Sequence, residues 1–182
     1  MGEIRDGETA QISMRAAITG HVVLSTIHTN DAVGTIERLE DIGVEPYLVA
    51  AALRAVISQR LVRRICPKCK KSYEATDEEV SRLGLSTEHK HIFYRGEGCA
   101  DCFNTGYRGR IGVFEILEIT PEIRSLISCQ AGRAVIEKEL AGVQSGHKTL
   151  RENAIQLVEE GITTCEEVQR VIYETGDMKT EE

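Results

Sequence analysis

At 182 residues the chain can bury one ordinary core, or one medium core with a small appendage. Its 41% hydrophobic and 28% charged shares are those of a globular domain, and no apolar run approaches the length of a helical membrane span. With 29 acidic against 22 basic side chains and a formal net charge of −7, the molecule as a whole repels phosphate backbones, which argues against a nucleic-acid partner. Met1-Gly2-Glu3-Ile4-Arg5-Asp6 has neither the basic start nor the apolar stretch of a secretory leader, so a reducing cytosol is the expected setting for the six cysteines.

In chain order, Gly2-Glu3-Ile4 reads as the end of a strand, and Asp6 can cap a helix over about 7–18 whose Ala10, Met14, Ala17 and Ile18 share one face. Val22 to Ile27, rich in β-branched residues and not alternating at first, predicts a strand covered on both faces in a parallel sheet. Thr29-Asn30-Asp31 gives a loop and cap signal before a helix carrying Val33, Ile36 and Leu39 and stopping at Gly43. Pro46 predicts a long helix through about Arg64, with Leu48, Ala52, Leu53, Val56, Ile57 and Leu61 as its apolar stripe. Arg60, Arg63, Arg64, Lys68, Lys70 and Lys71 form a basic cluster without interleaved aromatics, expected to be a solvated face near that helix's end.

Residues 66–110 change character, with two cysteine pairs, several glycines, a short helix signal at 77–83 and a strand signal at Ile92-Phe93-Tyr94. Residues 111–119 alternate as a strand with both faces partly covered, and helices are expected near 121–128, 131–141, 149–160 and 164–175.

Three constellations could carry chemistry. Cys66-Pro67-Lys68-Cys69 and Cys99-Ala100-Asp101-Cys102 are two CxxC knuckles, each able to wrap one side of a tetrahedral ion; structural Zn²⁺ fits best, with a disulfide pair, an iron–sulfur centre and a redox CxxC as the alternatives. Cys129 and Cys165 read as small buried hydrophobes. The stretch from Gly2 to Ala10 places Glu3, Arg5 and Asp6 where a strand ends and a helix begins, a position from which a carboxylate can orient water or hold the water ligands of Mg²⁺, although acidic residues there often only satisfy the helix dipole. His21 and His28 sit at opposite ends of the expected strand, more than about 20 Å apart if extended, so they cannot share a metal without a bend. His28, beside Thr29 and Asn30, is the better placed to sense a phosphate.

Together and in this order, these segments resemble the bacterial traffic ATPases of type II secretion and type IV pilus assembly. Gly2 to Ala10 looks like the end of that family's Walker B region, Thr19 to Ala32 like its histidine box, and Cys66, Cys69, Cys99 and Cys102 match its tetracysteine motif; Gly106-Tyr107-Arg108-Gly109-Arg110 and Gly161-Ile162-Thr163-Thr164 extend the likeness over nearly the whole chain. The resemblance implies an α/β fold: a partial RecA-like P-loop ATPase core over residues 1–65, an inserted tetracysteine zinc unit over 66–110 and a mostly helical C-terminal subdomain over 111–182. It further implies a homo-hexamer using Mg²⁺ and ATP at the cytoplasmic face of the inner membrane, with platform and adaptor proteins as partners. By the same resemblance Glu3 is catalytic, Arg5, Asp6, His21 and His28 serve the nucleotide, and the tetracysteine unit speaks against the pilus retraction branch.

No G-x-x-x-x-G-K-[ST] run occurs in the 182 residues, so the expectation is the C-terminal part of a longer motor, inactive alone for want of a cradle for the phosphates. The alternative at this level is a non-catalytic zinc module for a protein or nucleic-acid partner.

Overall fold

Asp6 opens the first helix as the sequence requires: its carboxylate accepts from the Thr9 amide at 2.8 Å and the Thr9 hydroxyl at 3.1 Å, capping α1 (Gly7–Ile18). The computed structural model describes residues 2–142 and 146–175, with side chains described up to Arg170. Asp31 caps α2 (Ala32–Asp41) through the Gly34 amide, and Pro46 starts α3 (Pro46–Ala52). The first turn of α1 lies against the end of α2, where a Cβ on Gly7 would overlap the Ile42 carbonyl.

The long helix expected from Pro46 stops at Ala52. Leu53 is already extended, and Ala55–Ile65 is strand β1 rather than the helix's second half. Val56, Ser58 and Val62 are buried at even positions, whereas Ile57 and Leu61, assigned to a helical stripe, lie exposed. The β-branched content of this stretch and its pairing with β4 (Tyr107–Glu118) override the helical reading. The basic cluster accordingly lies on two strands and a knuckle, with Arg60, Arg63 and Arg64 on β1 and Lys70 and Lys71 on β2 (Lys70–Glu74).

The hydrophilic β2 carries no strand signal of its own. It is antiparallel to β3 (Ile92–Gly96), in register from Lys70 opposite Gly96 to Glu74 opposite Ile92. Between them Thr76 and Glu79 form a reciprocal capping box on α4 (Asp77–Arg82). The C-terminal helices fall close to their expected places as α5 (Pro121–Ser128), α6 (Arg133–Leu140), α7 (Leu150–Glu159) and α8 (Cys165–Thr175). In β4 only one face is covered: Val113, Glu115 and Leu117 are buried, while Phe114 and Ile116 are exposed.

The expected strand Val22–Ile27 is also different. Its extended chain makes one isolated parallel bridge among the described residues, between Glu3 and Thr26, and Val22 and Leu24 are 89% and 78% exposed rather than covered on both faces. A strand needs neighbours on both sides to become an interior one, and the described residues supply a single short partner, Gly2–Ile4.

The contacts divide the chain into two units that are not consecutive in sequence: residues 1–58 with 115–147, and residues 59–114 with 148–182. In the first, Ala10, Val33, Ile36, Leu39 and Val49 pack with Leu117, Ile123, Ile127 and Ile136. In the second, Val62, Leu83, Phe93 and Val113 pack with Leu150, Ala154, Val158 and Val168. No helix among the described residues is long and apolar enough to cross a membrane.

The second unit also buries a charge. Glu167, 1% exposed, accepts from the Arg63 backbone amide at 2.9 Å and from the Arg63 guanidinium at 2.8 and 2.6 Å, and Arg170 approaches at 3.2 Å. Arg63 in turn stacks over Tyr107, whose hydroxyl meets Thr164 at 2.8 Å. Burial opposes the charge on Glu167, but its bonds to Arg63 win and hold the carboxyl below the usual range. A depressed folded pKa gives stability that is complete above the unfolded value of about 4.3 and is lost as pH falls through the folded one. Glu167→Gln should therefore cost about 1.5–3 kcal/mol at neutral pH, measured as a lower urea midpoint by circular dichroism. The gap to wild type should narrow below about pH 4; a gap constant with pH would refute the ionised pairing.

Candidate functional site

The first cluster is built where the two extended segments of the first unit run side by side. The Ile4 amide donates to the Thr26 carbonyl at 2.8 Å, the Thr26 amide to the Gly2 carbonyl at 3.4 Å, and the Ser25 hydroxyl to the same Gly2 carbonyl at 2.5 Å. This parallel pairing puts Glu3 beside the chain that continues to His28. The Nε2 of His28 lies 2.8 Å from Glu3 Oε1, while Arg5 grips Glu3 Oε2 through Nε at 2.8 Å and Nη2 at 2.6 Å.

Glu3 therefore has a cationic or proton-bearing partner on each oxygen. The Arg5 hydrogen bond, with the fields of Arg5 and His28, outweighs the cost of burial and holds its carboxyl below the usual range. The group is ionised at neutral pH and can accept a proton or orient a polar ligand. His28 and Arg5 are themselves largely exposed, at 91% and 78% of their side-chain surface.

The other two candidates of this region stand apart from that pair. Asp6 spends its carboxylate on the α1 cap, and the Thr9 backbone amide, followed by the Thr9 hydroxyl, holds its pKa below the ordinary value. His21 lies just past the end of α1, its Nδ1 3.2 Å from Thr19 Oγ1 and 3.3 Å from the Ala16 carbonyl. Sequence reasoning missed Arg133, which reaches the Asp31 cap from α6 at 2.5 Å. The two are 102 positions apart, and no local pattern links them.

The second cluster lies in the second unit. The sulfurs of Cys66, Cys69, Cys99 and Cys102 all fall within 4.8 Å of one another. Individual separations are 3.9 Å for Cys66–Cys99, 3.8 Å for Cys69–Cys102 and 3.7 Å for Cys99–Cys102. Four sulfurs at about 2.3 Å from one tetrahedral centre would be about 3.75 Å apart, so these thiols can hold a single metal ion. The distances are far beyond a disulfide bond of about 2.05 Å, and all six cysteines are free.

The knuckles are shaped by backbone. The Cys66 amide donates to the Gly106 carbonyl at 2.9 Å, and the Cys99 amide points at Cys102 Sγ at 3.2 Å. Phe103 and Asn104 adopt positive φ as the chain turns directly after Cys102, and Gly96 and Gly106 approach so closely that a Cβ on either would overlap the other's backbone. Burial pushes the Cys69 thiol up to about 12. It acts on Cys102 in the same direction, yet the amides of Cys99 and Gly106 bring that thiol down to about 6. Of the two remaining cysteines, Cys165 is buried as expected and Cys129 is not: it is the exposed C-cap of α5.

Residues 1–170 match the family profile described as "Type II/IV secretion system protein". The chain is 43% identical over 175 residues to the type II secretion system ATPase E of Vibrio cholerae, covering 96% of this chain and 34% of that protein. It is 47% identical over 170 residues to the type IV pilus assembly ATPase PilB of Thermus thermophilus, covering 92% of this chain and 19% of that one. Among solved structures, the pilus retraction motor PilT with bound ADP aligns with a TM-score of 0.61 at 25% identity, over 93% of this chain and 38% of PilT. The ATPase DotB of Yersinia pseudotuberculosis shares the fold at a TM-score of 0.61 and 20% identity, over 95% of this chain and 36% of its own length. The chain thus spans about a third or less of the curated relatives it matches, and by profile and by identity it belongs to the type II/IV secretion system protein family, among relatives named as secretion and pilus ATPases.

Proposed function

We propose that the chain is the C-terminal part of a motor ATPase that powers type IV pilus assembly or type II secretion, with residues 1–65 completing a RecA-like core, 66–110 forming a zinc unit and 111–182 a mostly helical subdomain. The observation that carries the reading is the ionised Glu3 held 2.8 Å from His28 across two parallel extended segments, in a chain whose relatives are named ATPases. Bound ATP with Mg²⁺ would supply the transferable phosphoryl group. Glu3 then orients the attacking water and accepts its proton, while Arg5 and His28 present positive charge or hydrogen-bond donors to phosphate oxygens. Asp6 holds α1 in place behind Glu3, and His21 marks the other end of the same segment as a second nucleotide-linked position.

The tetracysteine cluster is read as a structural Zn²⁺ site with all four ligand positions filled by thiolates and none left for a substrate. Lys68 and Arg108, 3.8 and 3.5 Å from Asp101 in the second knuckle, bring positive charge near a centre that carries net negative charge. The complete protein is a hexamer at the cytoplasmic face of the inner membrane, coupled to platform and adaptor proteins.

The test compares two polypeptides. A longer protein that carries the rest of the length of the relatives should release phosphate from Mg²⁺-ATP, and the 182-residue chain should neither bind ATP at micromolar concentration by calorimetry nor turn it over. Phosphate affinity in P-loop enzymes comes chiefly from convergent amides and a lysine, and no such run occurs here. The exposed Val22 and Leu24 should also make the shorter chain associate with rising concentration. Absence of hydrolysis by the longer protein would overturn the motor reading.

A further inference from the structure

Arg133 is the first residue of α6, and its guanidinium meets three carboxylates: Asp31 at 2.5 Å, Glu137 at 2.6 Å and Glu37 at 3.4 Å. Glu137 lies one turn along its own helix, and Glu37 lies on α2. Asp31 is the informative partner. It is mostly buried, and its carboxylate is shared between two tasks, Oδ1 accepting from the Gly34 amide at 2.7 Å as the cap of α2 and Oδ2 accepting from Nη2 of Arg133 at 2.5 Å. A Cβ on Gly34 would stand 3.1 Å from Asp31 Oδ1 and 3.7 Å from Arg133 Nη1, so the small residue keeps this approach open.

Asp31 ends the short loop that begins at His28. Within that loop Thr29 is tied to α2 through a 2.9 Å contact between its hydroxyl and that of Thr35, and His28 reaches Glu3 at 2.8 Å. The loop is thus fixed at one end by the Glu3 contact and at the other by a cap residue whose second oxygen is held from α6. A guanidinium is suited to this because its nitrogens point in fixed directions in one plane, so that Nε on Glu137 and Nη1 on Glu37 fix the direction from which Nη2 meets Asp31.

We propose that Arg133 is a positioning residue: through Asp31 it sets the loop that aims His28 at Glu3, so that α6 controls the geometry of the carboxylate–histidine pair. The catalytic consequence rests on the ATPase reading above; the structural consequence does not. In the complete ATPase, Arg133→Gln should lower kcat roughly tenfold or more, since small displacements transmitted from afar are costly to chemistry, while KM for ATP moves less than about twofold. Arg133→Lys, which keeps the charge and loses the planar set of donors that reaches three carboxylates, should recover part of the loss.

In the 182-residue chain the readout is the pair of ring nitrogen signals of His28 in a ¹⁵N-resolved NMR spectrum. Arg133→Gln should shift them, whereas Ile136→Val, which loosens the buried face of the same helix without touching the carboxylates, should leave them in place. If Arg133→Gln fails to fold, Asp31→Asn serves instead, because Asn still caps a helix but no longer holds the guanidinium by charge, and it should shift the same signals. Unmoved His28 signals in whichever variant folds would overturn the proposal and leave Arg133 as a clasp between two helices. A complete protein that hydrolyses no ATP would instead defeat the motor reading, and the ring signals would still decide the role of Arg133.

Discussion

Glu3→Gln in the complete protein, with Glu3 as the proposed general base, should reduce steady-state phosphate release by about 10²–10⁴-fold, with ATP affinity nearly unchanged. The amide keeps the shape of the side chain and can still meet His28 and Arg5, but it carries no charge to accept a proton from water. The interaction lost is therefore one needed only in the transition state, which lowers kcat without weakening the ground-state complex. The depressed pKa of Glu3 adds a pH signature. Its carboxylate stays ionised until the pH falls below the ordinary carboxylate range, so the acid limb of the wild-type profile should lie below about pH 4.3. Turnover of the Gln variant within a few-fold of wild type would assign the base elsewhere.

The other large effect concerns the four thiols. Elemental analysis of the chain purified without added metal should give about one zinc per molecule, and Cys99→Ser about none, because three thiolates and a hydroxyl bind Zn²⁺ far less tightly than four thiolates. Structural zinc contributes about 10–16 kcal/mol of apparent binding free energy in isolated finger peptides. Part of that should appear here as protection of the knuckles and of the Lys70–Glu74 and Ile92–Gly96 ladder, which leaves Cys69 and returns toward Cys99. The remainder of that unit has its own apolar core in Val62, Phe93, Val113 and Val158. Loss of metal should therefore open the cysteine end, seen as faster amide exchange from Cys66 to Thr105, rather than unfold the unit throughout. A chain that holds no metal yet shows slow exchange there would refute the assignment.

The sequence was most legible where one residue type answers one local need. Asp6, Asp31 and Pro121 each mark a helix start by satisfying or omitting a backbone donor, and those helices lie where the spacing puts them. It was least legible between Leu53 and Ile65. There Leu53, Val56, Ile57 and Leu61 fit a helical stripe as well as Val56, Ser58 and Val62 fit alternation, and only the partner strand, some fifty residues on, decides. Lys70–Glu74 escaped for the same reason: almost nothing in Lys-Lys-Ser-Tyr-Glu asks to be buried, and its strand form comes from the ladder with Ile92–Gly96.

The sites divide in the same way. Two CxxC spacings announce a tetrahedral cluster without help, whereas Glu3 and His28 carry weak local signals and gain weight from the order of motifs around them. Arg133 gave no signal, because a charge that acts across 102 positions leaves no periodicity in the chain.

The interleaving of the two units has a consequence for how the chain acquires its structure. The core that begins with Ala10 and Val33 is completed by Ile123, Ile127 and Ile136, and the core that begins with Val62 waits for Val158 and Val168. In the order of synthesis, residues 1–100 can form helices and hairpins before the partners from 113 onward that complete the two hydrophobic cores are made. Such non-local closure slows folding and prolongs the exposure of apolar surface. Val33, Val49 and Val62 therefore lack part of their native packing until the later segments are made, which lengthens the time in which their apolar surface is open to chaperones that bind apolar segments.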